Sequence, residues 1–438
     1  MSKKIIITAF IALLGTVSLY SQVQVIRDKK GQKVKIEIEP LKPTIVNFEP
    51  FVWTSEPPAD CPFPASKEFS QVRFLGVKSG FYFADTFYPT WGDDDLQYSP
   101  YTDGGCWRLD GSWDNSWSGG ANAVTGQAVM EGNDPQNIVV YSLGTQPGAP
   151  MPYTGRYPCG SLMHNGVWYY GTYCLGPEGG TRYGDITVNW PWLGPFVGFR
   201  TSTDKGRSWK NCPHTPEKAI FGESGLYGHP VKIGSPHFVD FGKNMQYSPD
   251  GKAYMVAHGA DMNDAKPRFW NSSWITGDNI YMLRVTPSVE NINDPAKWEF
   301  YGGKDASGNA VWTNDFSQIK PLLEWNNNMG CVTVTYNAPL KKYLMCVTDG
   351  GNTVSKMNTY LLESESLTGE WKLVTYLKSF GEQAYFVNIP AKFISDDGKV
   401  MWLMYSGNFA TNWNGENIQS NPPGSHYGLV MQKVQLLK

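Results

Sequence analysis

One phrase recurs along this chain and limits what it can fold into. A turn is followed by a short apolar strand with an aromatic residue near its middle. It reads GFYF (Gly80–Phe83), GVWYY (Gly166–Tyr170), DGKAYMVA (Asp250–Ala257), LKKYLM (Leu340–Met345) and DGKVMWLMY (Asp397–Tyr405). The aromatics at Tyr82, Trp168, Tyr254, Tyr343 and Trp402 stand 86, 86, 89 and 59 residues apart. Near-regular repetition of one strand unit marks an array whose units bury their apolar faces against their neighbours. A second phrase, a strand and turn leading to a tryptophan, follows in three places: Phe199 to Trp209, Tyr281 to Trp298 and Tyr360 to Trp371. Five inner hairpins and three outer ones predict an all-β fold, a five-bladed β-propeller with four-stranded antiparallel blades.

Aromatics at 14%, 46 glycines and 30 prolines suit many short strands joined by turns. A net charge of −3 offers no basic face for nucleic acid or an anionic membrane. Residues 1–21 read as a secretory signal peptide: Lys3 and Lys4, an apolar run from Ile5 to Val17, then small polar residues ending at Ser21. The run is short for a membrane span and carries no cysteine for lipidation, so a periplasmic or secreted protein without membrane insertion is expected. Residues 22–70 form an extended preface with a strand over Val34–Ile38, and residues 71–438 form the propeller. The stretch from Tyr427 to Leu437 reads as a last strand that closes the ring and so removes exposed sheet edges. Seven cysteines in an exported chain allow one to three disulfides, with pairing not readable from sequence, and none has zinc-site spacing.

The densest chemistry lies between Lys78 and Asp103. Asp85, Asp93, Asp94, Asp95 and Asp103 are interleaved there with Tyr88, Trp91, Tyr98 and Tyr101. Carboxylates accept hydrogen bonds from sugar hydroxyls and shuttle protons, and rings stack on the apolar face of a pyranose. The same loop suits Ca²⁺, the one cofactor the sequence suggests. Glu223 and His229 lie in the Gly-rich FGESGLYGHP (Phe221–Pro230), Asp240 ends PHFVD (Pro236–Asp240), and His258 follows the third aromatic strand. Loops at the ends of inner strands gather at a propeller's axis, so Asp85 and Glu223 are expected as a catalytic pair. Trp91, Asp94, Asp95, Asp103, His229, Asp240, His258 and Tyr336 are expected around the same mouth as substrate-binding residues. RFWNSSW (Arg268–Trp274) reads as a sugar platform and Arg182 with Asp185 as a salt bridge.

STDKGRSW (Ser202–Trp209) resembles the Asp-box hairpin of sialidase-like propellers, a structural motif remote from their active sites. VTYNAPLKKYLM (Val334–Met345) and YLLESESLTGEW (Tyr360–Trp371) are similar to five-bladed furanosidase-type glycoside hydrolases. FADTFYPTW (Phe83–Trp91) and the stretch Phe386–Phe409 resemble a secreted bacterial family whose relatives include endo-D-arabinanases. The resemblance covers roughly residues 70 to 438. It implies glycosidase chemistry with Asp/Glu pairs, and Asp85 and the acids near it are the residues it carries over. Sialidase chemistry needs an arginine cluster that this chain lacks. A poly- or oligosaccharide partner, no nucleic acid and a monomer are expected. Two other functions fit the same residues: a polysaccharide lyase with His229, His258 or Tyr336 as base, and a non-catalytic carbohydrate-binding propeller.

Overall fold

The computed structural model describes residues 22–27, 33–38, 41–176, 181–183, 186–188, 192–226, 229–261, 272–350, 356–407 and 421–438. The signal-peptide reading of residues 1–21, Asp185 and the 268–271 part of the RFWNSSW stretch fall outside the described residues.

Five antiparallel sheets surround one axis, with almost no helix. From axis to rim, blade 1 is Thr90–Trp91, Gln97–Tyr101, Val124–Glu131 and Val139–Pro147. Blade 2 is Gly155–His164, Val167–Leu175 and Leu193–Ser202, with a bridge from Thr201 to Lys210 in the fourth place. Blade 3 is Gly234–Phe238, Ala253–Gly259, Asn279–Val285 and Glu299–Lys304, extended at its rim by Ala310–Thr313. Blade 4 is Val332–Asn337, Lys342–Asp349, Asn358–Ser364 and Lys372–Leu377. Blade 5 is Tyr385–Asn388, Val400–Ser406 and Leu429–Leu437, completed by Gln71–Phe81 from the other end of the chain. The ring therefore closes by pairing the last strand with the first long one, and no sheet edge is left open at the seam.

Trp168, Tyr254, Tyr343 and Trp402 all lie on the second strand of their blades. Tyr82 does not. It follows the fourth strand of blade 5, and the blade 1 counterpart is Tyr98 in Gln97–Tyr101. A turn followed by an aromatic strand has the same local chemistry in an inner or an outer hairpin, so the phrase alone misplaced one copy.

Large rings hold the blades together. Trp168, Trp298, Tyr101, Tyr281 and Tyr360 are fully buried between sheets. Each such ring removes roughly 150–250 Å² from water, on the order of 4–6 kcal/mol before the entropy of ordering is subtracted. The Asp-box hairpin is tied by its own side chains. Asp204 accepts from Ser208 N at 2.8 Å and Ser208 Oγ at 2.6 Å, and Ser202 Oγ accepts from Gly206 N at 2.7 Å. Gly206 has φ +88°, and a Cβ there would stand 2.9 Å from the Trp168 ring. Only glycine meets both conditions.

The stretch before residue 71 is integral to the ring. Thr44–Asn47 and Phe51–Val52 pair with Gln71–Phe81, and Trp53 packs on Phe74 and Phe380. All seven cysteines are free thiols. Among the described residues no helix is long and apolar enough to cross a membrane.

The inner strands run parallel along the axis. Asp240 bridges Thr335 in the parallel sense, and Thr333 and Thr335 donate to Val387 O and Ile389 O, both at 2.6 Å. The axis thus has a front end, where inner strands begin, and a back end, where they finish. Between them lies a cavity of about 30 Å³ lined by Tyr88, Ser161, His237, Asp240, Thr335 and Asn388, room for one or two waters.

Candidate active site

At the front end the backbone departs from regular geometry in several places. The inner strands of blades 2, 3 and 5 each carry a register shift near their start, at Pro158/Ser161, Gly234/His237 and Tyr385/Asn388. Ala84, Thr86, Asp103, Ser235 and Phe386 all have positive φ, at 20°, 60°, 48°, 45° and 49°. Such conformations cost roughly 1–3 kcal/mol each, and together with bulges they cluster at functional sites. Thr86 and Phe386 are bulky side chains for which the left-handed region is especially unfavourable.

Two carboxyls sit in this strained region. The Asp85 backbone pairs antiparallel with Thr102, with N–H···O distances of 2.9 and 3.0 Å, which places Asp85 beside Asp103. Asp85 is buried. The Tyr385 hydroxyl donates to its Oδ2, while its Oδ1 has no hydrogen-bond partner. Burial, and next the charge of Asp103, push the Asp85 carboxyl well above the usual carboxylate range, against the pull of the Tyr385 hydrogen bond. Asp103 is held differently. Its Oδ1 accepts from Ser118 N at 2.8 Å and from Ser118 Oγ at 2.6 Å, and Oδ2 lies 2.8 Å from the same hydroxyl. Burial raises Asp103 too, and the Ser118 bonds offset part of that. Burial thus raises both carboxyls, and of the two Asp103 has its oxygens held by Ser118.

Tyrosines wall this pair. The Tyr427 hydroxyl donates to Asp103 O at 2.6 Å. The phenols of Tyr385, Tyr427 and Tyr157 are all pushed up, chiefly by burial and then by the nearby aspartates, so each acts as a hydrogen-bond donor. Deeper in, the His237 ring meets Tyr88 edge-on at 4.3 Å and Phe386 at 4.9 Å, and Trp274 meets Tyr385 at 5.2 Å. His237 Nε2, Tyr88 Oη and Ser235 Oγ are buried with no hydrogen-bond partner. Burial, with His258 second, holds His237 down to about 3, and burial holds His258 down to about 4, so both imidazoles are neutral. His258 Nε2 lies 3.0 Å from Ser273 O.

Glu223 also lies towards the front, in the loop that enters blade 3, but its surroundings are different. Its two oxygens accept from the backbone amides of Lys232 at 2.7 Å and Ile233 at 3.0 Å. Burial pushes it up to about 7, and those amides pull it back. His229 is exposed in the same loop.

The expectation that the remaining acids surround the same mouth does not hold. Trp91 and the Asp93–Asp95 turn lie at the back end, where Thr90–Trp91 finishes and where lysines from the loops after the blade 3 and blade 5 inner strands reach Asp95. Trp91 Nε1 donates to Asp95 Oδ1 at 2.9 Å, and Tyr98 Oη donates to Asp94 Oδ2 at 2.6 Å. Lys205 bridges Asp93 and Asp94 at 2.9 and 2.8 Å, and Lys243 and Lys392 reach Asp95 at 3.3 and 3.8 Å. Asp240 is at the back as well, accepting from Gly242 N at 2.8 Å and Ala391 N at 2.7 Å, with burial raising it to about 6. Tyr336 donates its amide to Asp240 O at 2.8 Å and packs its ring on Tyr343. The acidic run is continuous in sequence, yet a strand passes through the middle of it. Among the described residues no group of three or more His, Cys, Asp or Glu is arranged to hold a metal ion.

Of the front-end residues, sequence reading singled out Asp85, Asp103, His258 and Trp274. It missed Tyr385, Tyr427, Tyr157 and Ser118. The signal for two of them was close by: Tyr385 precedes the Phe386–Phe409 stretch, and Tyr427 opens the final strand.

No family model and no curated protein matches this chain. Solved structures with a similar fold include a hydrolase from Bacteroides ovatus, 14% identical over 87% of this chain and 96% of that one, with a TM-score of 0.43. A GH43_1 enzyme from Xanthomonas citri complexed with xylose is 12% identical over 82% of this chain and 87% of that one, with a TM-score of 0.42. An exo-1,5-α-L-arabinanase from a bovine ruminal metagenomic library is 12% identical over 82% of this chain and 98% of that one, with a TM-score of 0.41. Likenesses this distant do not assign a reaction.

Proposed function

We propose that this chain is a glycoside hydrolase acting on a poly- or oligosaccharide outside the cytoplasm, with its chemistry at the front end of the propeller. The observation that carries the reading is Asp85: a buried carboxyl raised well above the usual carboxylate range beside a second carboxyl, with Oδ1 unpartnered, in a strained and bulged part of the backbone. A neutral carboxyl can deliver a proton to the leaving glycosidic oxygen. Asp85 is the proton donor, and Tyr385 fixes it by occupying Oδ2. Asp103, oriented by Ser118, is the ionised partner that activates water or meets the anomeric carbon. This pair takes the place of the Asp85 and Glu223 pair expected from the sequence. Glu223, with both oxygens on backbone amides, holds the loop that carries His229 to the mouth.

A lyase needs a base to take a proton from carbon, and Tyr336, one of the bases expected for it, lies at the back end beside Asp240 and Tyr343, away from the carboxyl pair. The test is Asp85→Asn and Asp103→Asn against plant, algal and bacterial polysaccharides, scored by reducing ends. Loss of turnover in both with the fold intact is expected. Near-normal rates in both, with an active wild type, would overturn the assignment.

A further inference from the structure

Four aromatic rings are strongly exposed among the described residues: Tyr82 at 61%, Trp117 at 63%, Trp113 at 44% and Tyr247 at 45%. Tyr247 belongs to the back end. The other three stand together at the front, around the carboxyl pair. Trp113–Ser116 pairs with Gly104–Trp107 as a hairpin on blade 1, and the extended backbone continues through a Trp117 to Val124 bridge. Side chains alternate along it. Ser116 and Ser118 point inward, Ser116 to Thr102 Oγ1 at 3.2 Å and Ser118 to Asp103. Trp113, Asn115 and Trp117 face out. Four residues of strand separate the two indoles by roughly 13 Å. On the blade 5 side, Tyr82 stacks on His426 at 3.8 Å, and its chain neighbour Phe83 meets Trp113 at 6.4 Å.

Two of these rings, Tyr82 and Trp113, are packed against neighbouring rings. Trp113 packs on Trp107 at 5.0 Å and lies over Gly105, where a Cβ would stand 2.1 Å from the indole. The glycine makes the room that lets the ring lie flat on the hairpin. Exposed apolar rings fixed in this way mark an interaction surface.

We propose that Trp113, Asn115 and Trp117, with Tyr82 beyond them, form a platform on which a polysaccharide chain lies across several sugar units. The inference rests on the hydrolase reading for its setting and adds the class of ligand: a long chain rather than a free mono- or disaccharide. Two observations favour a sugar chain over a second protein. The rings are separated by the amide of Asn115, which alternates apolar stacking with hydrogen bonding instead of offering a continuous apolar patch. The strand that displays them holds Asp103 with its other face, so a chain lying on the rings is delivered beside the carboxyl pair.

The test is affinity electrophoresis of wild type, Asp85→Asn, Trp117→Ala and a Trp113→Ala/Trp117→Ala double variant in gels cast with xylan, arabinan, arabinogalactan or laminarin. Wild type and Asp85→Asn should be retarded by at least one polymer. Trp117→Ala should bind it roughly tenfold more weakly and the double variant not measurably. The single variant carries the test if the double variant does not fold. Equal retardation of wild type and Trp117→Ala overturns the proposal, as does wild-type mobility unchanged in every gel. A mass by light scattering that is dimeric in wild type and monomeric in Trp117→Ala also overturns it, in favour of a self-association surface. Tryptophan-dependent retardation without release of reducing ends would remove the hydrolase reading and leave the platform standing.

Discussion

The two ends of the propeller axis use the same kinds of residue for different ends. At the back, every aspartate described has partners. Asp93, Asp94 and Asp95 meet lysines from neighbouring blades, and Asp240 receives two backbone amides and so ties blade 3 to blade 5. At the front, Asp85 keeps one oxygen without a partner, Asp103 stands next to it, and the backbone around both is strained. An acid with all its bonds made is a structural element. An acid denied a charge and left with a free oxygen has chemistry to offer.

The largest expected effect is at the front. Asp85→Asn should lower turnover by roughly 10²–10⁴-fold. Because burial disfavours the charged form of Asp85, an amide of the same shape should leave the thermal midpoint almost unchanged. Turnover and melting are measured on the same sample, and a variant that melts early would turn Asp85 into a structural residue and erase the contrast.

Next is Asp240→Ala, which leaves two buried amides without an acceptor. It should cost roughly 2–4 kcal/mol in urea unfolding with little change in turnover per folded molecule. Loss of activity without loss of stability would move the functional end to the back.

Asp240 also sharpens the comparison through pH. Its folded value, about 6, lies above its ordinary value of 3.8. The folded state therefore binds more protons between those values, and stability falls as pH rises through that window. Measured against Asp240→Asn, the wild type should lose on the order of 3 kcal/mol of relative stability between pH 4 and pH 6.5. A flat difference would mean that Asp240 is already charged in the fold at pH 4.

The smallest effect should come from Lys205→Gln. Its two ion pairs are partly exposed, and their loss should cost about 0.5 kcal/mol or less, vanishing in 1 M salt. A larger, salt-resistant loss would mean the Asp93–Asp95 turn matters more than its exposure suggests.

The fold was largely legible because its signals are local. A turn, an aromatic strand and a later tryptophan repeat wherever a blade repeats, and the sheets follow. What misled was direction along the axis. Asp85 and Asp95 look like neighbours in FADTFYPTWGDDD, but strand geometry places them at opposite ends. The contact of Asp85 with Tyr385, 300 residues away, depends on ring closure. Neither periodicity nor composition carries that contact. Glu223 looked catalytic because a glutamate in a Gly-rich loop is often free, and the two amides that hold it belong to a segment nine and ten residues further on.

The seam in blade 5 has a consequence for when the protein becomes active. Gln71–Phe81 is among the first long strands synthesised, and its partner Leu429–Leu437 is the last. Asp85 emerges four residues after the early strand, whereas Tyr385 and Tyr427 arrive with the late ones. A nascent chain holds the acid long before it holds the hydroxyls that wall it in. Bridging so long a loop carries an entropic penalty that grows only slowly with its length, so closure is affordable but comes last. A chain trimmed before Leu429 would keep most of its blades and lose the strand that joins the two halves of blade 5.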